Sequence, residues 1–174
     1  AVNRVLLEYA EQQKVEKGRA VRLDSTVVET HIHHPTDSTL LLDGIRVIIR
    51  LLQAGKVLNP TPWYIFADHQ RAAKKRGLQI LNTRKDPVRL KAYRELWSLA
   101  GKVQGYARQA ITELKGFVGA DLEEIIAAHK ILDQLERAVS LLQRVLSQTE
   151  RRVIRGEKVP AGEKVGSFFE CHTD

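Results

Sequence analysis

Asp24 lies in the middle of an alternating, β-branched run, VRLDSTVVETHIHH, at residues 21–34. A carboxylate beside Ser25 and Thr26 is a poor choice for packing, because a buried acid needs a partner, a metal or water. It is a good choice for holding a divalent metal against a phosphodiester. On a two-residue period Arg22, Asp24, Thr26 and Val28 share one face of a strand, and Leu23, Ser25, Val27 and Glu29 share the other. From the residues alone, a structural acid and a metal ligand both remain open.

Two other constellations could do chemistry. Glu29, His31, His33, His34 and Asp37 cluster around a turn, with His31 and His33 on one side of the strand. Two histidines at that spacing can ligate zinc. No second tightly spaced ligand pair follows, so a polar strand end or a phosphate-contacting turn fits better. Near the end of the chain, Glu170, His172 and Asp174 alternate onto one face, and Cys171 stands beside His172. Strand neighbours point to opposite faces, so those two do not pair as nucleophile and base. The chain has no Gly-rich phosphate loop, GxSxG or HExxH.

The third feature is charge. Residues 57–118 hold twelve basic and four acidic residues, whereas 1–56 hold eight and seven, 119–156 six and six, and 157–174 two and four. The formal excess of +7 therefore sits in one middle block, which points to a polyanion such as nucleic acid, or to a solvated helix face. Arg71, Lys74, Lys75 and Arg76, with Arg84 and Lys85 in the loop that follows, are the candidate DNA contacts.

The elements that must position these groups follow from periodicity. Residues 2–17 read as a helix stopped by Gly18, and 21–33 as a strand ended by Pro35. Thr36, Asp37 and Ser38 can each cap a helix that buries Leu41, Leu42, Ile45, Ile48, Ile49 and Leu52 and closes at Gly55. Its apolar surface is broad enough to pack on a sheet. After the Asn59-Pro60-Thr61-Pro62 turn, a helix over about 63–81 carries the basic residues. Asp86-Pro87 opens another that runs to about Lys115. Asp121 and Glu124 form a capping-box-like pair before a long helix to about Arg155. Its seam is Leu122, Ile125, His129, Leu132, Val139, Leu142, Leu146 and Val153. Residues 165–172 return to strand, as a parallel crossover or as an antiparallel partner of 21–33; with the family resemblance given below, antiparallel pairing is expected.

Composition sets outer limits. With 174 residues and 43% hydrophobic content the chain can bury a core. One cysteine excludes an internal disulfide and fits a reducing compartment. Charged residues through the first twenty do not read as a signal peptide, and Asp43, Arg46 and Arg50 interrupt the longest apolar stretch. No membrane contact and no small-molecule substrate are expected. Methionine is absent even at position 1, which removal of an initiator or excision from a longer chain explains equally well; with an apparent strand running to the last residue, a fragment is expected.

The run LDSTVVETHIHHPTDSTLLLDGIRVIIRLL resembles the first catalytic block of bacterial insertion-sequence transposases of the DDE type. Asp24, Thr26–Glu29, Ile32, His33, Pro35–Ser38, Leu41–Gly44, Arg46 and Val47 carry that resemblance. A second block, GEKVPAGEKVGSFFECHTD, is similar to the family's strand after a helical insert. Phe169, Glu170, His172, Thr173 and Asp174 match it, and Cys171 stands where the pattern has proline. The resemblance implies a mostly α fold with a few strands (α+β), an incomplete ribonuclease H-like core interrupted by a large helical insertion. Residues 1–56 would start the core, 57–156 form the insertion and 157–174 return to the core. It also implies DNA transposition and DNA as the partner, with Asp24 as the first metal-binding, catalytic acid of a two-metal strand-transfer site. Mg2+ or Mn2+ would serve the intact parent and not bind tightly here. This chain alone would be inactive, since one acid does not build that site. Self-association and a bacterial cytoplasmic, nucleoid-associated location are compatible with this reading. The competing reading is a non-catalytic helical module that binds nucleic acid or a protein partner through the basic block and the long seam.

Overall fold

The computed structural model describes residues 5, 8, 9, 12, 13, 36–58 and 64–169. The chain divides into two compact units, residues 1–33 and residues 34–174. In the first, Val5, Glu8, Tyr9 and Gln12 are helical, and the Gln13 amide donates to the Tyr9 carbonyl at 3.0 Å.

Among its described residues the second unit is a bundle of four helices: α1, Asp37–Leu58; α2, Gln70–Asn82; α3, Asp86–Lys115; and α4, Leu122–Thr149. A π-helical turn, Glu150–Ile154, extends α4, and a 3-10 turn, Ala161–Glu163, follows. Helix α1 is the centre of the bundle and packs against the other three helices. Its Leu41, Ile45, Ile48, Ile49 and Leu52 are at most 1% exposed, so its broad apolar surface is buried by helices. Helix α2 touches α1 and α3 but not α4.

Long-range contacts fix the directions. Trp97 Nε1 donates to the Leu146 carbonyl at 3.1 Å, and Gln104 Nε2 donates to the Val139 carbonyl at 3.3 Å, which sets α3 and α4 antiparallel. Asp37 meets Gln148 while Gly55 approaches Ile131, so α1 also runs opposite to α4. Arg76 pairs with Glu95, and the His69 ring stacks on Tyr106 with centroids 5.9 Å apart, making α2 and α3 a helical hairpin. The connection between them is Thr83, Arg84 and Lys85, whose extended Thr83 and Lys85 end one helix and begin the next.

These observations correct the expected fold class. Among the described residues there is no strand and no sheet, so the α+β, ribonuclease H-like core is not what this unit builds. The expected strand at 165–172 is irregular over 165–169. The reason is tertiary: Val165 and Phe168 are buried, a spacing of three that a strand face does not produce. The Val165 amide donates to Gln148 Oε1 at 2.7 Å instead of entering a ladder. Residues 170–172 and the expected strand at 21–33 lie outside the described residues.

Boundaries shift as well. The helix expected from about 63 begins at Gln70, where Asp68 Oδ1 accepts from the Gln70 amide at 2.8 Å. Helix α1 runs three residues past Gly55, where a Cβ would run into the Tyr64 hydroxyl. That hydroxyl donates to the Leu52 carbonyl at 2.7 Å. In α4 the inward positions are Ala128, Leu135, Ala138, Leu142, Val145 and Leu146, whereas Leu122 is 71% exposed. The helix faces α1 and α3 together, and two neighbours rotate the buried arc away from a single-partner seam.

Candidate nucleic-acid interface

Helix α2 buries Ala73, Gly77 and Ile80. At 100° per residue the opposite arc carries Arg71, Lys74, Lys75 and Leu78, the i, i+3, i+4, i+7 stripe of one outer face. All four are exposed. On the inner face a Cβ at Gly77 would lie 2.5 Å from Leu42 Cδ1, so α2 sits close against α1.

Residues 70–85 contain six cations and no acid. Arg76 differs from the other five. Its guanidinium is bound to the Glu95 carboxylate and donates to Gln79 Oε1 at 3.2 Å, which spends it on holding α2 to α3. Arg71, Lys74, Lys75, Arg84 and Lys85 are exposed and have no ion pair among the described residues. Lys91, Arg94 and Lys102 on α3 are also exposed and unpaired among these residues. The hairpin therefore carries a basic excess that is neutralised internally at two places, Arg76 with Glu95 and Arg89 with Asp86. Such a field attracts phosphates without regard to sequence.

A second polar site ties the bundle together at the end where α1 starts. Thr36 caps α1: its Oγ1 accepts from the Thr39 amide at 3.2 Å, and the Thr36 amide donates to Thr39 Oγ1 at 3.0 Å. That leaves Asp37, 6% exposed, free to reach across the bundle. Its Oδ1 accepts from Gln148 Nε2 at 2.6 Å, and Arg152 Nη1 lies 3.1 Å from Oδ2. Gln148 then accepts from Val165, so one carboxylate couples α1, α4, the π turn and the segment after it. A π turn takes up more chain per turn than an α turn. This one brings Arg152, four residues after Gln148, onto the same acid. Thr149, the residue after Gln148, is fully buried and its hydroxyl has no hydrogen-bond partner among the described residues.

Other residues of the transposase-like run also take structural roles. Asp43 pairs with Arg46 at 2.9 Å; burial pushes the Asp43 carboxyl up, and Arg46 pulls it back. The Arg46 guanidinium lies 5.8 Å from the Phe169 ring centroid. A Cβ on Gly44 would lie 2.8 Å from Leu142 Cδ1 and 3.0 Å from Phe168 Cε2, so glycine allows the later segment to dock on α1.

Asp24 lies outside the described residues, as do Glu29, His31, His33, His34, Glu170, Cys171, His172 and Asp174. Among the described residues no group of three or more His, Cys, Asp or Glu is placed to hold a metal ion. No described helix is long and apolar enough to cross a membrane. Sequence reasoning missed Gln148 and Arg152, which sit 111 and 115 residues from Asp37; no local signal marks such a pair. No family model, curated protein or solved structure matches this chain.

Proposed function

We propose that this chain is part of a DDE-type insertion-sequence transposase whose helical unit binds duplex DNA through its phosphates. The observation that carries the DNA reading is the acid-free run 70–85, with five exposed cations that have no ion pair among the described residues. The transposase reading rests on the residue matches of the two sequence blocks. Asp24 is kept as the proposed metal ligand and catalytic acid of the parent enzyme on that resemblance, with Mg2+ or Mn2+ as the ion.

Duplex is favoured over single strands by the side chains available. Single-strand binders stack bases on aromatic rings. Residues 70–85 contain no aromatic residue. Backbone contact without base readout gives weak, sequence-tolerant and salt-sensitive binding.

The test is a salt titration of a labelled duplex by fluorescence anisotropy. Five phosphate contacts give a slope of log K against log salt of about −4 to −5, at roughly 0.9 per contact. Replacing Arg71, Lys74 and Lys75 together by glutamine reduces that slope by about 2 to 3. Arg76→Gln leaves the slope nearly unchanged, because Glu95 already holds that charge. A triple variant with the parent slope and affinity makes this face a solvated surface and removes the DNA reading.

A further inference from the structure

At the tip of the α2–α3 hairpin, directly after Lys85, a groove of about 470 Å³ opens between the first turns of α3 and the π turn. Asp86, Pro87, Arg89, Leu90, Tyr93 and Val153 line it. Its chemistry differs from that of the basic face. Arg89 Nη2 lies 2.7 Å from Asp86 Oδ1, so the charges at its rim are matched. The cations of the π turn and Arg155 just after it are ion-paired: Arg151 with Glu157 and Glu163, Arg152 with Asp37, and Arg155 with Glu150. What remains is Pro87, Leu90 and Val153, with the Tyr93 ring and a Tyr93 hydroxyl that has no partner among the described residues.

A phosphate gains nothing from entering such a groove. A neutral, flat group with polar edges does: it meets apolar walls, the Tyr93 side chain and a hydroxyl without a partner among the described residues. Immediately outside, Arg84 and Lys85 are exposed and unpaired, placed to hold the phosphate that carries such a group. We propose that the groove binds an unpaired nucleobase, at the end of a duplex held on the α2 face. This rests on the DNA reading above and adds to it a preference for DNA that offers a free base. Tyr93 supplies the stacking face, and Arg84 and Lys85 the phosphate contacts.

The experiment compares three DNAs with the purified 174-residue chain: a blunt duplex, the same duplex with one unpaired 2-aminopurine nucleotide, and one with an abasic nucleotide there. Stacking of one base on an aromatic ring gives at least about a fivefold gain in affinity. The expected result is that gain for the 2-aminopurine duplex, with a change in its fluorescence, and no gain for the abasic duplex. Tyr93→Ala abolishes the gain and leaves blunt-duplex affinity within about twofold; Tyr93→Phe retains it. Val153→Glu, which sets a carboxylate in the groove without touching Tyr93, also abolishes it. Circular dichroism checks that each variant folds. Equal affinity for all three DNAs, or a gain that survives both Tyr93→Ala and Val153→Glu, overturns the proposal, as does a 20-residue apolar peptide that displaces no base yet binds the groove. Failure to bind any duplex sinks the DNA reading itself, a different outcome from blunt binding without discrimination.

Discussion

Asp37→Ala tests whether a residue of the transposase-like run is a structural strut. The wild-type carboxylate is 6% exposed, accepts from Gln148 at 2.6 Å and faces Arg152 at 3.1 Å. Removing it strands the Gln148 amide, itself 4% exposed, at a cost of about 1–3 kcal/mol, on top of the lost charge-assisted bond. Breaking a fully buried ion pair costs about 3–5 kcal/mol, but the Arg152 side chain is 36% exposed and water takes over its charge. The total comes to about 3 kcal/mol. For a domain of this size that lowers Tm by about 6–12 °C. Asp37→Asn keeps an acceptor for Gln148 and loses only the charge on Arg152, so it costs about 1 kcal/mol. Differential scanning calorimetry of both variants, with Arg152→Gln and the Asp37→Ala/Arg152→Gln double variant, closes a cycle whose coupling is about 1 kcal/mol. Substituting an acid kept for function rather than for packing is neutral or stabilising. A Tm for Asp37→Ala equal to or above wild type, or strict additivity in the cycle, therefore refutes the strut.

Three further outcomes follow from individual contacts. Thr149→Val removes a fully buried hydroxyl that has no partner, and denaturant unfolding should show a gain of about 1 kcal/mol. Gly101→Ala in α3, where a Cβ meets nothing within 4 Å, should stabilise by about 0.5–1 kcal/mol in the same assay, whereas Gly44→Ala, which runs into Leu142 and Phe168, should destabilise by about 1 kcal/mol after its helix-propensity gain is subtracted. Burial pushes the Tyr64 phenol from 10.0 up to about 12. The neutral form is therefore favoured by folding; this stability is complete below pH 10 and is lost as pH rises toward 12. Chemical denaturation across that window should show a loss of about 1–2 kcal/mol that Tyr64→Phe lacks.

Much of the helical architecture is legible in the sequence, because it depends on local rules. The 3.6-residue period of Leu41, Ile45, Ile48, Ile49 and Leu52 places α1, and those side chains are buried. Asp86-Pro87 marks the start of α3, and Asp121 accepts from the Glu124 amide at 2.9 Å as the cap of α4. The concentration of cations in 57–118 is a property of the chain before any folding.

Tertiary structure decided the rest. A broad apolar helix surface is satisfied equally by a sheet or by three helices, so the pattern of α1 does not distinguish them; only the assembled bundle does. Alternation over Val165, Ser167 and Phe169 is too short to overrule docking of Val165 and Phe168 onto α1 and α4. Which cations remain free depends on acids distant in sequence: Glu95 takes Arg76, and Asp37 takes Arg152 across 115 residues. Side-chain type and local spacing determine helices and net charge, because those are set within a few residues. Partner choice among charged and apolar side chains depends on which faces become neighbours; short connections make successive helices antiparallel, but the packing of α1 against α4, far apart in sequence, is set only by the assembled bundle.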